Sequence, residues 1–227
     1  MTTLNPQARI QTNDPVSFIK RMWRTHAPLT LLSLVMVGLT LFFIAGIFAD
    51  STVISGAPAW LKPANFGISI AIYTLTLVWM LGLIEAKRLR TKRLIAIIGW
   101  VVTGVFIAEM VPIVLQVIRG TTSHFNIATP FDTLLWSVMG IAIMILWFTN
   151  LLVAILLMRP RFENPALGWA LRLGLIVALI GMAEGFLMTS PTAQQLALGF
   201  GFGVTQFNAH QEPIQLRLGQ RKGTGLG

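Results

Sequence analysis

Side chains with chemical potential are scarce in this chain, and Glu109 lies inside one of its long apolar segments. An ionised carboxyl at the centre of a bilayer costs about 3 kcal/mol on insertion scales, so Glu109 needs compensation. Pro112, Gln116 and Arg119 follow it at helical spacing, which places all four residues on one face. This polar stripe predicts a face that lines the bundle interior or a wet cavity.

Two interpretations of Glu109 have equal weight. It is either a functional carboxylate or a structural one that is protonated or paired with Arg119. A second acid, Glu184, lies near the outer end of the last apolar segment, where a structural or interfacial role is favoured because water is close. His124 is favoured as an ordinary loop residue, since a metal site needs several ligands. The candidates for a ligand or ion site in the outer half of the bundle are Glu109, Gln116, Arg119, His124, Glu184 and Lys62.

Neither a catalytic motif nor a set of metal ligands is recognisable in the sequence, so enzymatic activity stays open and no cofactor is indicated. Two function classes remain. One is a small-ligand or ion site that serves transport, proton movement or membrane redox chemistry. The other is a noncatalytic accessory subunit of a membrane complex, which the scarcity of intramembrane charge favours over a pump.

Five apolar segments position these side chains, and each is long enough to cross a hydrocarbon core of about 30 Å as a helix. In lipid the backbone must satisfy its own hydrogen bonds, so helix is the expected conformation. We therefore predict an all-α polytopic transmembrane bundle. The segments span 28–48, 63–84, 94–118, 130–158 and 165–188.

Positive charge predicts the orientation of the bundle. The net charge of +9 could suggest nucleic acid, but the basic residues cluster at the ends of segments. They are dense in the arm 1–27 and the loop 85–93 and sparse in the loop 49–62, which predicts a cytoplasmic N-terminus. We expect three regions: an arm (1–27) with an amphipathic interfacial helix, a transmembrane domain (28–190) and a flexible extracytoplasmic tail (191–227).

Several polar residues have structural explanations. Asp14, Thr129 and Asn164 each precede a proline at the start of a helical segment, as N-cap residues do. Asp132, three residues after Thr129, completes a capping box. Asn150 is expected to form a hydrogen bond with a neighbouring helix.

Small residues recur along one face of the last segment. Gly174, Ala178, Gly181 and Gly185 follow one another at spacings of four, three and four residues. This ridge predicts close approach of another helix, either within the chain or across a dimer, and makes a homo-oligomer or a membrane-protein partner possible.

Three sequence blocks resemble an uncharacterised family of bacterial multi-pass integral membrane proteins. They are WLKPANF at 60–66, RGTTSHFN at 119–126 with TPFD at 129–132, and GMAEGFLMT at 181–189. The resemblance covers roughly residues 20–192. It implies a bacterial inner-membrane bundle and carries no assigned activity. Family members are expected to continue with a histidine-bearing outer segment and further spans, so this chain resembles a C-terminally shortened member.

Overall fold

A computed structural model describes residues 14–84, 89–158, 162 and 164–187, with side chains described as far as 185. The tail predicted for 191–227 lies outside these residues. The described part forms six α-helices and one two-stranded hairpin. In chain order these are α1 (Pro15–Thr25), α2 (Ala27–Ala49), β1 (Val53–Ile54), β2 (Ala57–Pro58), α3 (Leu61–Gly82), α4 (Leu89–Ile118), α5 (Pro130–Met158) and α6 (Pro165–Leu187).

The helices α2 to α6 confirm the five predicted segments. Each contains a stretch of at least 21 residues that is long enough and apolar enough to cross a membrane. The mean hydropathy of the 18-residue window that represents each helix lies between 1.6 and 2.6. Helices this long and apolar on most faces cannot all be buried in a chain of this size, and many of their large side chains are exposed. The protein is therefore an all-α, membrane-embedded helical bundle.

The predicted helix in the N-terminal arm is α1. Asp14 caps it by accepting a hydrogen bond from the backbone N–H of Val16 at 3.2 Å. The helix packs against α2 and α3, with Met22 buried in the core and Phe18 against it. Val16 and Trp23 stay exposed beside its basic side chains. One side of α1 therefore packs on the bundle, and the exposed side carries both apolar and basic side chains.

His26 locks the corner between α1 and α2 against α4. Its Nδ1 accepts from the N–H of Leu29 at 3.1 Å, which caps α2, and its Nε2 lies 3.2 Å from the carbonyl oxygen of Ala96. The ring sits directly on Gly99, where an added Cβ would lie 2.3 Å from Nε2. Burial lowers the pKa of His26, so the neutral ring fits this corner. No pattern in the sequence predicts this contact.

The loop between α2 and α3 contains a hairpin that the sequence pattern did not predict. Ser55 and Gly56 have φ of 53° and 78°, as a tight two-residue hairpin turn requires. After the hairpin, Trp60 donates its Nε1–H to Asp50 at 2.8 Å and stacks on Phe43 with ring centroids 5.9 Å apart. The loop is therefore packed against the end of the α2–α3 pair where α2 ends and α3 begins.

Polar bridges connect α5 to its neighbours. The hydroxyl of Tyr73 on α3 donates to Oδ1 of Asn150 at 2.6 Å, which confirms the interhelical hydrogen bond predicted for Asn150. Trp147 donates its Nε1–H to the carbonyl oxygen of Leu179 on α6 at 3.1 Å. These bonds fix the central part of α5 between α3 and α6.

Glycines allow close helix approach at positions that the sequence pattern did not single out. An added Cβ at Gly67 on α3 would lie 2.5 Å from Thr40 Oγ1 on α2, so this pair is in direct contact. On α6, the packing face consists of Leu175, Leu179 and Met182. Gly174, Ala178, Gly181 and Gly185 are exposed, and within the described part of the chain open space surrounds a Cβ placed at any of these glycines. Close packing of this ridge, including the alternative of an interface between copies, therefore stays a prediction.

Candidate ligand site

Glu109 is the most deeply buried acidic side chain of the described residues, with 1% of its surface exposed. It lies on α4 on the same buried face as Pro112 and Gln116, which confirms that the polar stripe faces the interior. Neither carboxyl oxygen accepts a hydrogen bond from the described part of the chain. The side chain lines a cavity of about 530 Å³ between α4, α5 and α6, called here the Glu109 cavity.

The other half of the stripe belongs to a separate network. Gln116 donates to Oδ1 of Asp132 at 2.7 Å, and Arg119 donates to Gln116 Oε1 at 2.7 Å and forms a salt bridge with the same Asp132 oxygen. Asp132 also receives the hydroxyl of Thr129, whose oxygen caps the N–H of Asp132. The predicted pairing of Glu109 with Arg119 is therefore wrong, because the Arg119 guanidinium binds Asp132 instead. Asp132 thus binds Arg119 and Gln116 in addition to its capping role.

The positive charge that acts on the Glu109 carboxyl is that of Lys62. It stands in the first turn of α3 and is half-buried, and it interacts electrostatically with the Glu109 carboxyl. Its Nζ lies 3.0 Å from Nδ1 of His124. The structure thus brings together three of the predicted candidates, Glu109, Lys62 and His124, from α3, α4 and the loop between α4 and α5.

His124 is held by rings on both sides. Its imidazole lies 5.8 Å from the ring of Phe66 and 5.4 Å from that of Trp136, measured between centroids. The next residue, Phe125, has φ of 56°, an uncommon backbone conformation for a bulky side chain, and its ring also packs on Trp136. Burial and the Lys62 charge lower the pKa of His124 to about 4. His124 is therefore a neutral, positioned side chain and not an ordinary loop residue.

A second cavity of about 430 Å³ lies outside this group, beneath the outer hairpin. We call it the hairpin cavity. Lys62 lines it, whereas Glu109 lines the Glu109 cavity, and both His124 and Phe125 line the two cavities. The His124–Phe125 segment therefore separates the hairpin cavity from the Glu109 cavity, which is the more apolar of the two.

The Glu109 cavity is largely apolar, and its polar lining side chains include Glu109, His124 and Ser137. Three methionines, Met139, Met144 and Met182, contribute to its wall together with Trp136. Methionine side chains adapt to ligand shape because they are unbranched and polarisable. A cavity with an apolar body and a few polar groups at one end is the usual form of a small-molecule site.

The remaining candidates lie elsewhere. Glu184 is exposed on α6 and is absent from the residues that line the Glu109 cavity. Gln116 and Arg119 belong to the Asp132 network. In the described ranges, no group of three or more histidine, cysteine, aspartate or glutamate side chains is arranged to hold a metal ion.

Fold and site together define a class: a polytopic α-helical membrane protein with a buried carboxyl in the wall of a largely apolar cavity. No family model, curated protein or solved structure matches the chain. The functional argument therefore depends on the site itself.

Proposed function

We propose that the protein binds a small amphiphilic ligand in the Glu109 cavity, with a hydrogen-bond donor of the ligand on the Glu109 carboxyl. The single observation that supports this is that both buried oxygens of Glu109 lack a donor from the described chain. A buried polar group without a partner costs about 1–3 kcal/mol. A purely structural carboxyl would lower that cost by taking a partner, and Arg119 on the same helix is bound to Asp132 instead.

His124 lines the Glu109 cavity together with Glu109, and Lys62 binds the other side of its ring from the hairpin cavity. The Lys62 ammonium can only donate, so Nδ1 of His124 accepts from it, and the proton of the neutral ring is then on Nε2. The ligand head therefore meets an acceptor at Glu109 and a neutral N–H donor on a ring that lines the same cavity. A hydroxyl group, which both donates and accepts, matches this pair of partners.

The test compares two tails that differ only in their head group. In detergent, 4-dodecylphenol should raise the melting temperature of the wild type more than 4-dodecylanisole does, because only the phenol has a donor. In Glu109→Leu the two compounds should have equal effects. The unliganded variant should melt at or above the wild-type temperature, since an unpartnered buried carboxyl is removed.

Glu184→Leu is the matched control, because Glu184 is an exposed acid outside the cavity. It should keep the preference for phenol over anisole. Equal effects of phenol and anisole on the wild type would contradict the proposal, as would an undiminished phenol preference in Glu109→Leu.

A second candidate function, assembly with another membrane protein or a second copy, is favoured by the α6 ridge. Gly174, Gly181 and Gly185 are exposed, with open space beside them. Small-residue faces of this kind associate with helices in lipid. If the ridge is an interface, Gly181→Leu should reduce the oligomer population in crosslinking of native membranes, while Gly104→Leu, at another open glycine, should not.

The cellular location is also our proposal: a bacterial inner membrane with the N-terminus in the cytoplasm. It is supported by the exposed basic residues that α1 and the start of α4 present. These are Lys20, Arg21, Arg24, Arg90, Lys92 and Arg93.

A further inference from the structure

We propose that the ligand enters the Glu109 cavity sideways from the bilayer, through a mouth between α5 and α6 formed by Gly140 and Gly185. It follows that the ligand class is a membrane-dissolved, single-chain amphiphile with a hydroxyl head. This inference rests on the proposed ligand site and adds its route and the physical form of its ligand.

The exposure of the cavity wall shows where the opening lies. On the bundle side, Glu109 and Met139 are both about 1% exposed. On the opposite side, Gly140, Ile141 and Met144 of α5 are exposed, and so is Gly185 of α6. The cavity is therefore closed toward the core and open on the face of the α5–α6 pair that points away from the bundle.

The two glycines keep this opening wide. Among the described residues, no atom lies within 4 Å of a Cβ placed at Gly140 or at Gly185, although both glycines line the cavity. The contact between the helices is made by other residues, including Leu179 and Met182 on α6. Part of the small-residue ridge on α6 thus has a second explanation, because Gly185 forms a lip of the cavity.

The depth of the mouth determines what it faces. Gly140 lies ten residues after Pro130, where α5 begins. At 1.5 Å per residue it is about 15 Å along the helix, roughly half the thickness of a hydrocarbon core. The mouth therefore faces acyl chains and not water, so a ligand must dissolve in the bilayer to reach it.

The outer route is obstructed by side chains. His124 and Phe125 stand between the hairpin cavity and the Glu109 cavity, and their rings pack on Trp136. A molecule that came from the outer water would have to displace this aromatic partition. A single-chain amphiphile in the membrane meets no such obstacle: its head reaches Glu109 and its tail extends past Gly140 into the lipid.

The experiment uses the full chain in liposomes and an alkylphenol with a diazirine in its tail as the probe. Proteoliposomes are mixed with probe-loaded liposomes and irradiated at increasing times, and labelling of Met139 and Met182 is followed by peptide mass spectrometry. Four variants are compared with the wild type: Gly140→Leu, Gly185→Leu, Gly104→Leu and Thr122→Trp. Gly104 is an exposed, open glycine on α4, and Thr122 lines the hairpin cavity.

Gly140→Leu and Gly185→Leu should slow the appearance of label, whereas Gly104→Leu and Thr122→Trp should leave its rate unchanged. Slowing by Thr122→Trp without slowing at the two lips would overturn the bilayer route, and so would unchanged rates in all four variants. Glu109→Leu separates the two proposals. Wild-type labelling in that variant would contradict the ligand site itself. Loss of labelling in Glu109→Leu, together with wild-type rates in Gly140→Leu and Gly185→Leu, would contradict only the proposed route.

Discussion

Nζ of Lys62 and Nδ1 of His124 lie 3.0 Å apart although 62 residues separate them in the sequence. Lys62 lies in the first turn of α3 and His124 belongs to the loop after α4, so this contact connects that loop to α3. The same ammonium interacts electrostatically with Glu109. Lys62 therefore joins the outer loop to the interior carboxyl, and the geometry of the candidate site depends on this contact.

The first prediction concerns acid. Burial and Lys62 lower the pKa of His124 from 6.5 to about 4. Between these two pH values the unfolded chain therefore binds more protons than the folded protein. The contribution of His124 to the free energy of unfolding is fully present above pH 6.5 and is lost as the pH falls toward 4. The melting temperature in detergent should decrease over this window.

His124→Gln is the control for this titration. It should show a smaller decrease between pH 6.5 and 4, since one titrating ring is removed. His26, whose pKa is also lowered by burial, contributes the same sign of dependence and remains in the variant. An equally steep decrease in His124→Gln would show that folding does not lower the pKa of His124.

The second prediction concerns the Asp132 network. Asp132→Ala removes the acceptor of Gln116, whose side chain is fully buried, and leaves its amide without that partner. An unpartnered buried amide should cost about 1–3 kcal/mol of stability. Denaturation in mixed micelles measures the loss. Thr133→Ala on the exposed side of the same turn should cost far less, and equal losses would mean that the network is not a stabilising element.

The third prediction separates two kinds of glycine. Gly67→Ala places a Cβ against Thr40 Oγ1, so either the hydroxyl gives up its hydrogen bond to Met36 or α2 and α3 move apart. Overpacking of this kind costs about 1–3 kcal/mol. Gly174→Ala meets open space and should be neutral or slightly stabilising through helix propensity. A loss for Gly174→Ala that disappears on dilution would reveal an interface between copies.

The sequence predicted the helices well because segment length and apolarity in lipid leave few alternatives to helix. It also predicted that Glu109 faces the interior, since helical spacing determines a face. It could not predict partners. Arg119 was equally able to reach Glu109 or Asp132 from sequence alone, and only the turn at Thr129 brings Asp132 to it.

The same limit explains the glycines and His124. A small-residue ridge indicates that another helix can approach closely, but it does not identify the contacts that form. Gly67 and Gly99 make close contacts without belonging to such a ridge. His124 looked isolated because its partner Lys62 comes from a distant helix start. The hairpin 53–58 was missed because its short strands lack the alternating pattern that identifies longer ones.

The last prediction tests the orientation of the bundle. The chain contains no cysteine, so single reporters are unambiguous. Ser55 at the hairpin turn is exposed, and Ile127 before α5 is 54% exposed, whereas Ser123 is buried and unsuitable as a reporter. If basic residues mark the cytoplasmic side, Ser55→Cys and Ile127→Cys should react with an impermeant maleimide in intact cells. Lys92→Cys, at the exposed start of α4, should react only after permeabilisation, because its basic surroundings are expected inside. Labelling of Lys92→Cys in intact cells together with protection of the other two would invert the topology and place the hairpin cavity on the cytoplasmic side.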